Sequence, residues 1–186
     1  MKYVIASDIH GNARYASLLI EAFRAEGAEQ LILLGDIYNP GPRNPVTSDY
    51  APLEVASMLN ALADKLTVVK GNCDSEVDLL ISEFGFTDSC CIFDGGVKIT
   101  LTHGHVYNKD NIPLSCGDAL IYGHFHEGSI SRVKTIDGKS VLIANAGSVS
   151  LPKGGSAHSY LVLEDGILTL KELMSRKEIA SEHIKI

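Results

Sequence analysis

The chain has 186 residues, 45% of them hydrophobic and 21% charged, and its formal net charge is −7 at pH 7. This length favours one domain over residues 1–186, and the negative charge argues against an extended basic surface for nucleic acid. No apolar stretch is long enough to span a membrane or to act as a signal peptide, and the four cysteines form no C-x-x-C pattern. We therefore expect a cytoplasmic protein with reduced thiols, as a monomer or a homo-oligomer.

The first half of the chain alternates apolar strands with amphipathic helices. The predicted elements are a strand over residues 2–7, a helix from the N-cap Asn12 to about residue 26, a strand over 31–34, a helix from Pro52 to about residue 64 and a strand over 66–70. Leu53 is expected to face the core from the second helix. The continuous apolar run over residues 31–34 indicates a strand covered on both faces. This order is typical of a parallel β-α-β arrangement.

The second half of the chain is dominated by β-like runs. Three Asp-Gly pairs, at 94–95, 137–138 and 165–166, are typical of hairpin turns. The predicted strands lie over residues 90–93, 97–101, 118–122, 129–135, 140–144, 159–163 and 168–173. We expect this half to be mostly antiparallel, so that the chain forms an α/β fold of two packed sheets flanked by helices.

Five apolar runs end in residues that are common metal ligands. The segments are Ser7-Asp8-Ile9-His10, Gly35-Asp36, Gly71-Asn72, Thr102-His103-Gly104-His105 and Gly123-His124-Phe125-His126. Because sites in open α/β sheets form at the carboxyl ends of parallel strands, we expect Asp8, Asp36 and Asn72 to lie at one edge. Carboxylates, imidazoles and an amide, without a thiolate, favour a hydrolytic metal centre over a structural zinc site.

The number of candidate ligands suits two ions better than one. The seven candidates are Asp8, His10, Asp36, Asn72, His103, His124 and His126. Ions that share a bridging carboxylate lie ~3.5–4 Å apart, lower the pKa of a shared water and hold the oxygens of a phosphoryl group. The sequence therefore predicts a dinuclear centre for hydrolytic phosphoryl chemistry.

The ordered series of motifs resembles the calcineurin-like metallophosphoesterase superfamily over most of the chain. Within it, the small bacterial manganese phosphodiesterases share residues 39–44, 71–78 and 147–155 almost verbatim. The resemblance implies a four-layer αββα sandwich of two mixed β-sheets flanked by helices. It also implies hydrolysis of small phosphodiesters by a metal-bound hydroxide. The implied cofactors are two divalent ions, manganese first, with nickel, cobalt, iron or zinc as alternatives.

The resemblance also implies a division of the ligands between the two ions. Asp8, His10 and His126 would hold the first ion, Asn72, His103 and His124 would hold the second, and Asp36 would bridge them. We assign the catalytic role to Asp36, Asn72, Cys73 and His103. Asp74 is expected to support the loop.

Cys73 departs from the wider superfamily, in which many members have a histidine after the Gly-Asn motif. A thiol is a poor substitute for imidazole as a general acid at neutral pH, so we expect a preference for activated esters. Arg43, Cys73 and His105 are the predicted substrate contacts. Arg43 is equally well interpreted as a solvated loop arginine, and for His105 the alternatives are a metal ligand or, the role we favour, a group that supports the ligands. Residues 148–155 suit either an anion-holding turn or a structural turn, and we favour the structural one.

Two other functions share most of these features. A phosphomonoesterase would use the same metal centre, and a non-catalytic interaction scaffold of the same fold would resemble the retromer subunit of this superfamily. The complete ligand set favours catalysis over the scaffold. The identity of the small phosphodiester substrate cannot be read from the motifs.

Overall fold

Two mixed β-sheets packed face to face form the frame of the protein in a computed structural model that describes residues 1–185. The strands are β1 Tyr3–Ala6, β2 Gln30–Leu33, β3 Leu66–Val69, β4 Phe86–Thr87, β5 Ser89–Asp94, β6 Val97–Thr102, β7 Ala119–Tyr122, β8 Ser129–Lys134, β9 Ser140–Asn145, β10 Ser159–Glu164, β11 Ile167–Glu172 and β12 Glu178–His183. The helices are α1 Ala13–Ala25 and α2 Pro52–Asn60, with 3-10 turns at Ala63–Lys65 and Glu76–Leu80.

The seven-stranded sheet has the order β12-β11-β10-β1-β2-β3-β4. Strands β1 to β4 pair in parallel, which confirms the predicted topology of the first half, and β10 to β12 add antiparallel to the other side of β1. The five-stranded sheet has the order β5-β6-β7-β9-β8. Its outer pairs are antiparallel hairpins, whereas β6, β7 and β9 pair in parallel. The hairpin signals predicted a mostly antiparallel second half, whereas the parallel centre of this sheet agrees with the two mixed sheets that the resemblance implied.

The main core lies on both faces of the seven-stranded sheet, because its central strands send alternate side chains to opposite sides. Leu31 and Leu33 of β2 pack under α1 and α2, and Ile32 packs between the sheets. The intersheet layer is completed by Ile99 of β6 and Ile121 of β7. The predicted α/β sandwich of two mixed sheets is confirmed.

The outer face of the five-stranded sheet carries a smaller apolar layer. It contains Leu120, Tyr122, Val141 and Ile143, and Ile112 from the connection between β6 and β7 packs against it. Within residues 1–185 the layer on this face is a loop, while both α-helices lie against the other sheet. The single-domain organisation stays a prediction.

Two details of the first half differ from expectation. Helix α2 ends at Asn60, and it buries Val55, Ala56 and Leu59. The prediction for Leu53 was wrong, because its side chain is 70% exposed on the first turn, away from that face. Within residues 1–185, the helices are too short or too polar to cross a membrane.

Candidate metal centre

The candidate ligands lie at the carboxyl ends of five strands from both sheets. Strands β1, β2 and β3 lead into Asp8, Asp36 and Asn72, and the parallel neighbours β6 and β7 lead into His103 and His124. Backbone hydrogen bonds tie these turns together, from Asp8 N to Gly35 O at 3.1 Å and from His10 N to Asp36 O at 2.9 Å. The parallel pairing of β6 with β7 therefore places the histidine motifs beside the carboxylates.

Five of the candidate ligands have backbone conformations that are uncommon for residues other than glycine. Their φ angles lie between 50° and 64°, and the residues are Asp8, His10, Asp36, His124 and His126. Left-handed backbone at such residues stores strain, and strain of this kind clusters at functional sites. The crowding also requires glycine, because a Cβ at Gly123 would lie 2.0 Å from Ser7 Oγ.

Asp8, His10 and His126 form a buried cluster whose side-chain atoms converge. Asp8 Oδ1 lies 3.4 Å from His10 Nε2 and 3.1 Å from His126 Nε2, and the two Nε2 atoms are 3.2 Å apart. Although burial alone would have the opposite effect, the two imidazoles hold the pKa of Asp8 well below its usual range. Burial is likewise outweighed at His10, where the Asp8 carboxylate raises the pKa.

Backbone carbonyls fix the orientation and tautomer of three of the histidines. The Nδ1 atoms of His10, His103 and His126 lie 2.7, 2.7 and 2.6 Å from the carbonyl oxygens of Asn39, Leu34 and Leu151. A carbonyl oxygen can only accept, so Nδ1 donates, and each neutral ring then has its lone pair on Nε2. Three Nε2 lone pairs are thereby aimed into the site.

Asp36 lies between this cluster and a second, more open one. Its Oδ2 is 4.0 Å from His10 Nε2, and its Oδ1 is 3.5 Å from His103 Nε2. In the second cluster His103 Nε2 lies 3.1 Å from Asn72 Oδ1 and 3.2 Å from His124 Nδ1. Burial, the neighbouring His103 and the Arg43 charge lower the pKa of His124 to about 4, which favours a neutral ring.

These donor sets fit divalent cations. The buried Asp8 Oδ1 accepts no hydrogen bond within the described residues, although two imidazole nitrogens are close to it. Facing lone pairs and an unsatisfied buried carboxylate are unfavourable unless a proton or a cation lies between them. Three clusters of ligating side chains converge in this way: Asp8 with His10 and His126, Asp36 with His103 and His124, and His10 with Asp36 and Cys73, which shares members with the other two.

Asp74 joins the turns that follow β2 and β3. Its carboxylate accepts hydrogen bonds from the backbone nitrogens of Asp36, Ile37 and Gly71 at 2.8, 2.8 and 2.7 Å. The predicted supporting role of Asp74 is thus matched by its contacts. It does not point its carboxylate at the ligand cluster.

Cys73 packs beside Asp36, whose Oδ1 accepts a hydrogen bond from Cys73 N at 2.8 Å, and its surroundings favour the neutral thiol. Burial and the Asp36 carboxylate raise its pKa to about 12. Its sulfur also lies against the proline loop, since a Cβ at Gly41 would be 2.6 Å from Cys73 Sγ. Cys73 is thus packed against the proline loop at Gly41.

The predicted substrate contacts lie around the open side of the site. Arg43 and Cys73 line the cleft that contains Asp36 and His124, whereas His105 lies outside that cleft with its ring 5.4 Å from that of His103. Burial and the neighbouring His103 lower the pKa of His105. Lys153 also lines the cleft. It was not among the predicted contacts, because a lysine in a glycine-rich turn does not by itself indicate a functional residue.

The segment after β9 supports the first cluster from behind. Ser148 and Ser150 both donate hydrogen bonds to the Asp8 carbonyl oxygen, at 2.7 and 3.0 Å. Leu151 supplies the carbonyl that orients His126. The favoured interpretation of residues 148–155 as a structural turn agrees with these contacts, although Lys153 at its end faces the cleft.

The fold and the site together define a class of protein. Residues 1–165 match the model of the calcineurin-like phosphoesterase superfamily domain, and the chain belongs to that superfamily. It is 40% identical to phosphodiesterase YfcE of Escherichia coli K12 over 182 residues, which cover 97% of this chain and 96% of that protein. The resemblance noted in the sequence is confirmed.

Solved structures show the same relationship. The structure of the E. coli phosphoesterase YfcE covers all of both chains with a TM-score of 0.92 and 37% identity. Vps29 of Entamoeba histolytica, in a complex with zinc, has a TM-score of 0.59 at 23% identity and covers 98% of this chain and 97% of its own. The likeness to Vps29 shows the shared fold alone.

Proposed function

We propose that the protein is a dinuclear metal-dependent phosphodiesterase that hydrolyses small phosphodiesters, with manganese as the preferred ion. The observation that carries the proposal is the convergence of imidazole nitrogens and carboxylate oxygens on two adjoining points, with the unsatisfied Asp8 Oδ1 at the first and Asp36 between them. The 40% identity to a protein named phosphodiesterase YfcE supports the choice of diesters. Nickel, cobalt, iron and zinc remain alternative ions because the donor set is borderline in softness.

In this proposal each side chain has a defined task. Asp8, His10 and His126 would hold the inner ion, Asn72, His103 and His124 would hold the outer one, and Asp36 would be shared between them. When bound, two divalent ions lower the pKa of water and neutralise charge on the phosphoryl oxygens. The Nδ1 contacts to backbone carbonyls keep the rings oriented throughout.

The exposure of the ligands supports entry of the ester from the side of the second cluster. Asn72 is exposed and His124 is partly exposed, whereas Asp8 and His10 are buried. Arg43, on the loop beside Asn72, is proposed to contact phosphate oxygens with its planar guanidinium group. His105 is proposed to contact the substrate at the edge of the second cluster.

The proposal also specifies which esters react well. With a pKa of about 12, the Cys73 thiol is a weak proton donor near pH 7, where efficient general acids have a pKa close to the working pH. Esters whose leaving group needs no proton, such as nitrophenyl diesters, are therefore expected to be cleaved faster than alkyl diesters.

The test is an activity screen on protein reconstituted with manganese, nickel, cobalt, iron or zinc. Bis(4-nitrophenyl) phosphate and 4-nitrophenyl phosphate are compared at equal concentrations, with Asp36→Asn as the matched variant. We expect turnover of the diester to exceed that of the monoester and to be lost in Asp36→Asn. Absence of diester turnover with every ion would refute the proposal, and full activity in Asp36→Asn would refute the bridging role.

A further inference from the structure

We infer that the cleft contains a second anion subsite, formed by Lys153 with Arg43, which binds a negatively charged group on one alcohol of the diester. The inference rests on the proposed function, since it names the class of substrate that the same centre would take. That class is a phosphodiester whose substituent carries a further phosphate or carboxylate.

The two cations lie at the rim of the cleft, and candidate ligands form its floor. Both residues line the cleft that also contains Asp36, His124 and His126. Asp36 and His126 are 3% and 2% exposed and form the floor, whereas Arg43 and Lys153 are exposed and form the rim. The space enclosed by the cleft is about 30 Å³, roughly the volume of one water molecule. The substituents of a bound ester therefore extend beyond this space, and the two cations form part of the rim around it.

The backbone at both positions is tied to the site. Lys153 N donates to the carbonyl oxygen of His126 at 3.0 Å, so the base of this lysine is joined to a candidate ligand. The loop that carries Arg43 is closed by a hydrogen bond from Asn44 Nδ2 to Pro40 O at 2.9 Å. Two segments that are far apart in sequence thus bring positive charge to one cleft.

The two side chains are also available to a ligand. Lys70, Lys109 and Lys171 pair with carboxylates at 2.7–2.8 Å, but neither rim cation has such a partner within residues 1–185. Glu127, from the turn between β7 and β8, lies beside this loop with its carboxylate near Gly154, and within residues 1–185 it forms no ion pair with Lys153. In a chain with a net charge of −7, two unpaired cations on one cleft favour an anionic ligand.

The scissile phosphate alone does not account for this much positive charge. Two divalent ions would carry four positive charges, and the carboxylates of Asp8 and Asp36 with one hydroxide would carry three negative ones, so the loaded centre would already balance the single charge of a diester without the rim cations. The planar head of Arg43 can contact the scissile group and a neighbouring anion together, whereas Lys153 adds a separate point charge. A second anion on the substrate would neutralise that charge.

The test compares two diesters that differ only in their second alcohol. They are 4-nitrophenyl propyl phosphate and 4-nitrophenyl 3-phosphonopropyl phosphate, and the phosphonate itself resists hydrolysis. We expect the ratio of kcat/KM values, charged over uncharged, to be above one in the parent protein. We expect it to fall roughly threefold to tenfold in Lys153→Gln, mainly through KM, as for the loss of one partly exposed charge-assisted contact.

Lys65→Gln is the matched control because it removes the same charge beside the amino end of β3, whereas the site lies at the carboxyl end. It should leave the ratio unchanged, and any general loss of activity in Lys153→Gln cancels in the ratio. An unchanged ratio in Lys153→Gln, with both esters turned over, would overturn the subsite while leaving the phosphodiesterase intact.

A binding measurement separates failure of the subsite from failure of the enzyme. If neither ester is cleaved, calorimetric titration of manganese-loaded protein with propane-1,3-bisphosphonate and with propylphosphonate still decides the question. The subsite requires the bisphosphonate to bind more tightly than propylphosphonate and the difference to shrink in Lys153→Gln. If the affinities for the two compounds differ by the same factor in the parent protein and in Lys153→Gln, the subsite is refuted.

Discussion

Replacing Ser148 by alanine perturbs the support of the first ligand cluster without touching a ligand side chain. The fully buried hydroxyl donates to Asp8 O at 2.7 Å and accepts from Ser150 N at 3.2 Å and Leu151 N at 2.9 Å. Loss of the hydroxyl leaves the backbone N–H groups of Ser150 and Leu151 unpaired, and an unpaired buried donor costs about 1–3 kcal/mol. We expect a total loss of roughly 2–4 kcal/mol in the free energy of unfolding.

Two measurements report the consequences of Ser148→Ala. Thermal unfolding of metal-free protein should show a fall in Tm of roughly 4–16 °C, given about 2–4 °C per kcal/mol for a chain of this size. Competition with a chromophoric chelator should show metal affinity reduced by roughly 10- to 100-fold, as for other groups that orient metal ligands.

Ser150→Ala is the control for this prediction. It removes one donor to the same Asp8 carbonyl, at 3.0 Å, but leaves Ser148 bonded there and strands no backbone nitrogen. We expect it to cost about 1 kcal/mol or less. Equal effects of the two substitutions on Tm and on metal affinity would refute the assignment of Ser148 as the positioning residue.

Two further predictions concern the frame of the site. Burial raises the pKa of Glu26, but the hydrogen bond from Lys171 outweighs it and lowers the pKa below its ordinary value of 4.5. The stabilisation that this hydrogen bond provides is therefore present above pH 4.5 and is lost as the pH falls through the folded-state pKa. The Tm difference between the parent and Glu26→Gln should shrink over that range, and a constant difference would contradict this. Gly41→Ala should lower the free energy of unfolding by roughly 2–3 kcal/mol, because the φ of Gly41 is +67° and the added Cβ would lie against Cys73 Sγ. Cys73→Ala in the same chain should recover part of that loss, and strictly additive losses would contradict the contact.

The ligand motifs could be found from the sequence because each one is local. A buried strand followed at once by Asp8, Asp36 or Asn72 is visible in a few residues, and the parallel order of β1 to β3 follows from the intervening helices. The structure adds their convergence, which depends on the pairing of two sheets. The assignment of individual ligands to two ions stays a prediction.

Other parts of the site could not be predicted because they depend on long-range pairing. The parallel contact of β6 with β7 brings His103 beside His124, but the hairpin signals in that half favoured antiparallel strands. Lys153 reaches the cleft only because its backbone bonds to His126. For Leu53 the helical pattern predicted burial, but only Val55, Ala56 and Leu59 of α2 are buried, and Leu53 is exposed.

The glycines next to the ligands are a weak signal in the sequence, since glycine also marks ordinary turns. The structure shows why substitution is excluded at two of them. Gly35 has a φ of +95° and a Cβ there would lie 2.4 Å from Gly71 N, and a Cβ at Gly123 would lie 2.6 Å from Asp8 Oδ2. The need for glycine arises from crowding between strands that are distant in the chain.

The central claim is that the strand-end residues hold a pair of divalent ions bridged by Asp36. Native mass spectrometry of manganese-reconstituted protein, paired with elemental analysis after gel filtration, measures the number of ions per chain. The account predicts two ions for the parent and fewer than two for Asp36→Asn, with the far-ultraviolet circular dichroism spectrum unchanged. A parent chain that retains one ion or none at saturating manganese, or an Asp36→Asn chain that retains two as tightly as the parent, would contradict it.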